Sequence, residues 1–99
     1  MFMGFYLSYV PNSFNQDLSS WNVSKVTDMS SMFSFSEFNQ PIGDWAVVNV
    51  TDMSNMFEYT PMNQDLSKWN VGNVMDCQDF SANTPQWILP KPNFTNCSP

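Results

Sequence analysis

The chain has 99 residues, 42% hydrophobic and 16% aromatic, with nine Asp and Glu against three Lys and neither Arg nor His, for a net charge of −6. A chain of this length holds one small core, and apolar residues at this density argue against disorder. The acidic balance excludes the basic footprint that nucleic acid and anionic membrane require, and the missing His and Arg remove the usual general base near neutral pH and the usual bidentate anion clamp.

The opening MFMGFYLSYV is apolar but lacks a charged n-region, is too short for an export signal with its cleavage site, and cannot span a bilayer. It reads as the start of a mature fragment, a truncated product or a piece of something longer. Phe5 and Tyr9 stand one period ahead of Met29 and Phe33, so residues 1–13 are predicted to form a degenerate N-terminal half-coil or cap. Its apolar residues, Phe2, Phe5 and Tyr6, are candidates for an end-to-end contact with another copy.

From Phe14 the chain repeats at an interval of 24 residues: FNQDLSSWNVSKVTDMSSMF, then FNQPIGDWAVVNVTDMSNMF from Phe38 and MNQDLSKWNVGNVMDCQDFS from Met62. The repeats are placed at 14–37, 38–61 and 62–80. Such a period belongs to stacked-repeat architectures of the leucine-rich-repeat class, in which no unit buries its apolar face alone. Trp21-Asn22-Val23 and its counterparts at 45–47 and 69–71 alternate as a short half-buried strand would. Met29, Met32 and Phe33, then Met53, Met56 and Phe57, show the i, i+3, i+4 spacing of a helical face. The predicted fold is therefore an α/β solenoid: three 24-residue coils of strand and short helix, with irregular caps.

Three polar and aromatic columns have two readings each. Asp28, Asp52 and Asp76 open the predicted helices and suit helix caps; a calcium-binding carboxylate column is the competing reading, weakened because the acids come one per coil. Asn15, Asn39 and Asn63 suit an inward hydrogen-bonded ladder, whereas Gln16, Gln40 and Gln64 could face outward as a ligand-contacting row. Trp21, Trp45 and Trp69 suit a stacked core better than a sugar-binding platform. In the second unit Pro41 replaces the Asp of the NQD motif, and Gly72 and Met75 loosen the third.

Beyond Phe80 the period fails. Residues 81–99 carry prolines at 85, 90, 92 and 99, which exclude helix and central strand. This segment is predicted to wrap as an irregular cap, with Trp87, Ile88, Leu89 and Phe94 covering the last coil. Cys77 occupies the inward position of Met29 and Met53, and Cys97 lies on the tail. A disulfide between them is predicted, closing a loop of about 20 residues for roughly 3 kcal/mol; two unpaired thiols, with Cys77 as a small core residue, are the alternative. A disulfide places the protein in an oxidising compartment, secreted or cell-surface. The four Asn-x-Ser/Thr matches at Asn22, Asn49, Asn93 and Asn96 are explained by turn composition.

The pattern W-x-V-x-x-V-x-D-M-x-x-M-F over residues 14–80 resembles the repeats of BspA-like leucine-rich-repeat bacterial surface proteins, found also in mycoplasma-type lipoproteins. The resemblance implies a surface or exported protein with adhesion or protein binding as its role, and it implies no enzyme or cofactor. The expected function is a non-catalytic binding module for a protein or glycan on another surface, without metal, cofactor, nucleic acid or membrane insertion. A self-assembling solenoid that stacks end to end into homo-oligomers or filaments is the alternative. Glycoside hydrolysis by carboxylates alone is disfavoured, because it needs two acids in different environments and these acids recur in equivalent ones.

Overall fold

The 24-residue period is realised as three units laid one above the next in parallel register. A computed structural model describes residues 12–99. Asp28 bridges Asp52 and Asp52 bridges Asp76, both in parallel. Around these bridges the described residues contain no helix and no extended strand. The predicted α/β solenoid of strands and short helices is thereby overturned: the molecule is a compact body of 29 × 27 × 19 Å whose described residues are turns and irregular segments joined by isolated bridges.

The helix expected to open at Asp28 and carry Met29, Met32 and Phe33 fails because its backbone bonds run elsewhere. The N–H groups of Met29, Ser31, Phe33 and Phe35 donate to the carbonyls of Asp52, Ser54, Met56 and Glu58 in the next unit, at 2.8–3.0 Å. The N–H groups between them close local turns: Met32 to Met29, Ser34 to Ser31 and Ser36 to Phe33. Backbone at Ser31 (φ 57°) and Phe35 (φ 60°) is left-handed, which no α-helix accommodates. Unit 2 repeats the scheme, with Met53, Asn55, Phe57 and Tyr59 donating to Asp76, Gln78, Phe80 and Ala82. Consecutive turns that each close over three residues bring Met29, Met32 and Phe33 inward at helix-like intervals, so the apolar spacing is genuine although the helix is absent.

The expected strand at Trp21-Asn22-Val23 is likewise corrected. Inward and outward positions alternate there, and Trp45, Val47, Trp69 and Val71 are buried, but no backbone ladder links the units on this side. Side chains make the crossings instead. The Trp45 and Trp69 indole N–H groups donate to the carbonyls of Leu18 and Ile42, and the Asn49 and Asn73 amides donate to Ser24 and Val48.

The core runs through the centre of the stack. Val26, Val50 and Val74, Met29, Met53 and Cys77, and Met32, Met56 and Phe80 form buried columns, with Phe33 and Phe57 beside the last and Ile42, Leu66, Phe38 and Met62 closing the other sides. Trp45 and Trp69 lie parallel, 6.4 Å apart. The described residues contain no helix long and apolar enough to cross a membrane.

Residues 81–99 continue the stack imperfectly. Trp87 donates its indole N–H to Gln64, and the Ile88 and Leu89 amides reach Asn63 Oδ1, as the Asn63 amide reaches Asn39. The Asn96 side chain donates to Gly72, one residue out of step with Asn49 and Asn73. Trp87 and Pro92 are buried and Phe94 packs on Phe80. Ile88 and Leu89, expected over the last coil, instead face outward, Ile88 at 83% exposure, because their amides are drawn down to Asn63. Cys77 and Cys97 form a disulfide across 20 residues, with Cα atoms 5.8 Å apart.

Candidate functional site

The three acidic residues that open the bridged segment act locally. Asp28 and Asp52 each accept the backbone N–H and the hydroxyl of the serine two residues on, Ser30 and Ser54, and Asp76 accepts the Gln78 N–H. They cap turns and not helices, which corrects the helix-cap reading. The same Asx-turn recurs at Asp17–Ser19, Asn22–Ser24, Asp65–Ser67 and Asn70–Gly72. At Asp17 the Ser19 backbone N–H, then its hydroxyl, hold the carboxyl below its ordinary value of 3.8. At Asp65 the Ser67 hydroxyl leads, followed by its N–H, with the nearby Lys68 charge adding to the effect. Among the described residues no group of three His, Cys, Asp or Glu converges as a metal would need.

The second and third members of the glutamine row bond the adjacent unit through their side-chain amides. Gln40 and Gln64 are half-buried, and their amide nitrogens donate to Asn15 Oδ1 and Asn39 Oδ1 at 3.0 Å. Those same oxygens accept the backbone N–H groups of Asn39 and Asn63 at 2.9 Å. Asn and Gln thus form one ladder together, and only Gln16, on the first unit, is exposed. The tryptophan column sits in the core apart from the half-buried Trp21. Phe2, Phe5 and Tyr6, the candidates for an end-to-end contact, lie outside the described residues.

The aromatic pair that does stand in solvent is Phe35 and Tyr59. They are 56% and 51% exposed, with ring centroids 4.8 Å apart and planes within 20°. Both have left-handed backbone, at φ 60° and 58°, a conformation that is costly for bulky side chains. The turn conformation forces it at this position in every unit, and Asn83 shows the same φ of 60° in the third. Beside Tyr59 lies an open groove of about 550 Å³ lined by Ser81, Asn83, Thr84 and Pro85. A second, smaller depression is lined by Pro41, Gly43, Asp65 and Gln64, a member of the glutamine row, with the exposed Lys68–Asp44 ion pair completing it. Sequence reasoning missed Phe35 and Tyr59, although they are themselves 24 residues apart; the helix expected over the preceding residues drew attention to the buried face alone.

A second missed column is Ser36, Thr60 and Thr84. Each hydroxyl donates to the carbonyl three residues back, and Ser36 and Thr60 also accept the N–H two residues on, so buried polar atoms are satisfied.

Neither the curated proteins nor the solved structures provide a match to this sequence. One family model, described as "Mycoplasma protein of unknown function, DUF285", matches residues 5–88; its description names no leucine-rich-repeat family. That span takes in all three repeats and the beginning of the C-terminal cap, and the chain therefore belongs to the DUF285 family of Mycoplasma proteins of unknown function.

Proposed function

We propose that this chain is a non-catalytic binding module of a secreted or cell-surface protein, and that it meets its ligand through Phe35, Tyr59 and the adjoining groove. The observation that carries the reading is the exposed aromatic pair. Two large rings held out of the core on left-handed backbone cost stability, and strain of this kind is retained where a surface has work to do. The Cys77–Cys97 disulfide supports an oxidising compartment, and the resemblance to BspA-like surface repeats supports exposure at a cell surface. The acidic exterior suits a soluble module that repels polyanions. The ligand class is a protein or a glycan on another surface, both of which use aromatic anchors.

The test is a paired variant, Phe35→Ala with Tyr59→Ala, assayed for adhesion to host-type cells. Neither ring is in the core, so the melting temperature should stay within a few degrees while adhesion falls at least about tenfold, the loss of about 1.4 kcal/mol expected for removing an anchor. Unchanged adhesion by a folded double variant would sink the assignment of this face.

A further inference from the structure

The third unit ends in a row of hydrogen-bond donors without acceptors. In units 1 and 2 every second amide along 29–35 and 53–59 donates to the unit above. The equivalent amides of unit 3 belong to Cys77, Asp79, Ser81 and Asn83, and none meets an acceptor among the described residues. The tail closes the other sides of this end, through Trp87 on Gln64, Ile88 and Leu89 on Asn63, Pro90 on Leu66 and Asn96 on Gly72. One side alone is left open. Cys77 is buried beside its disulfide, so the accessible donors are Asp79, Ser81 and Asn83, and the last two also line the groove beside Tyr59.

Donors on alternate residues call for acceptors on alternate residues. Within the molecule that requirement is met twice by backbone carbonyls, at 2.8–3.0 Å, and a polypeptide segment adding to an open edge meets it in the same way. A whole repeat unit cannot sit there, because the tail already occupies two sides of the layer it would fill. The charge of the edge restricts the partner further. Asp76 and Asp79 are both exposed on it, in a chain of net charge −6, so a segment carrying Lys or Arg is attracted and an acidic one repelled. We infer that residues 77–83 form an edge-pairing site for a short basic peptide segment of another protein. Its carbonyls accept from Asp79, Ser81 and Asn83, and one of its side chains lies in the groove against Tyr59. This rests on the binding-module reading above and names its ligand as polypeptide.

A random peptide library displayed on phage is selected against the wild-type protein, and the recovered peptides are titrated while amide hydrogen exchange is followed. In the free protein the amides of Asp79, Ser81 and Asn83 should exchange fast and those of Asn55, Phe57 and Tyr59 slowly. Recovered peptides should be rich in Lys or Arg and slow the first set at least about tenfold. They should bind Asp79→Lys at least about tenfold more weakly and bind Asp44→Lys, on the far depression, as tightly as wild type. Failure to recover binders, recovery of acidic ones, or protection elsewhere on the molecule would overturn the inference. So would protection of these amides by the protein itself at high concentration, with a rising mass in sedimentation, since the edge would then pair with a second copy. If peptides fail while the Phe35 and Tyr59 variant still loses adhesion, the edge assignment falls and the binding-module reading stands.

Discussion

Gly43 occupies the position of Ser19 and Ser67 in the neighbouring units, and it is there for space. A Cβ at Gly43 would come within 2.7 Å of the Asp65 backbone oxygen. No described glycine has positive φ, so conformational freedom does not explain the choice. The carbonyl belongs to the unit above, whose own turn and ladder hold it, and it cannot swing aside as a flexible side chain would. Gly43→Ala should therefore cost about 1–3 kcal/mol, the range for overpacking, read as a lowered denaturant midpoint at unchanged slope. Gly72→Ala is the control: its Cβ would meet only Asn70 Oδ1, at 3.3 Å, and the cost should stay below about 1 kcal/mol. Equal costs would mean that the close approach of units 2 and 3 at Gly43 is not what selects glycine.

At the scale of one turn segment, buried hydroxyls replace the helix capping that the sequence suggests. Thr60 is 3% exposed, donates to the Phe57 carbonyl and accepts the Met62 N–H. Thr60→Val keeps the shape and strands that N–H, so it should cost about 1–3 kcal/mol; Thr60→Ser keeps the hydroxyl and should cost about half as much or less. A valine variant as stable as the serine one would show that the hydroxyl is dispensable. The 24-residue spacing of Val26, Val50 and Val74 and of Met29, Met53 and Cys77 made the core legible in the sequence, since inward positions recur whatever the backbone does between them. What the spacing could not reveal was the destination of each N–H. Met29, Met32 and Phe33 follow the same i, i+3, i+4 pattern in a helix and in successive turns, and only the crossing bonds to Asp52, Ser54 and Met56 distinguish the two. The bonds of Gln40 and Gln64 were not legible for a related reason: a polar pair such as Asn-Gln does not declare which member bonds the adjacent unit, and here both do. Phe35 and Tyr59 were legible as a 24-residue pair, but their exposure depends on a left-handed turn that no residue type at those positions announces.

On the scale of the whole molecule, stability depends on how the last unit is covered. Each internal unit is covered by a successor that supplies backbone carbonyls, indoles and apolar side chains, and unit 3 has only the tail. The tail brings Trp87, Pro92 and Phe94 to the core, but its backbone follows the 24-residue register imperfectly, so the disulfide replaces part of the missing ladder. Cys97→Ser removes the cross-link and leaves Cys77 as a small buried thiol, which packs without a new cavity. Opening a 20-residue loop should lower stability by about 2–4 kcal/mol. Wild type under reducing conditions should behave like the variant, and limited proteolysis should cut residues 90–99 in both before it reaches units 1 and 2. Cys97→Ser as stable as oxidised wild type, with an uncut tail, would show instead that Trp87, Pro92 and Phe94 hold the end closed by packing alone.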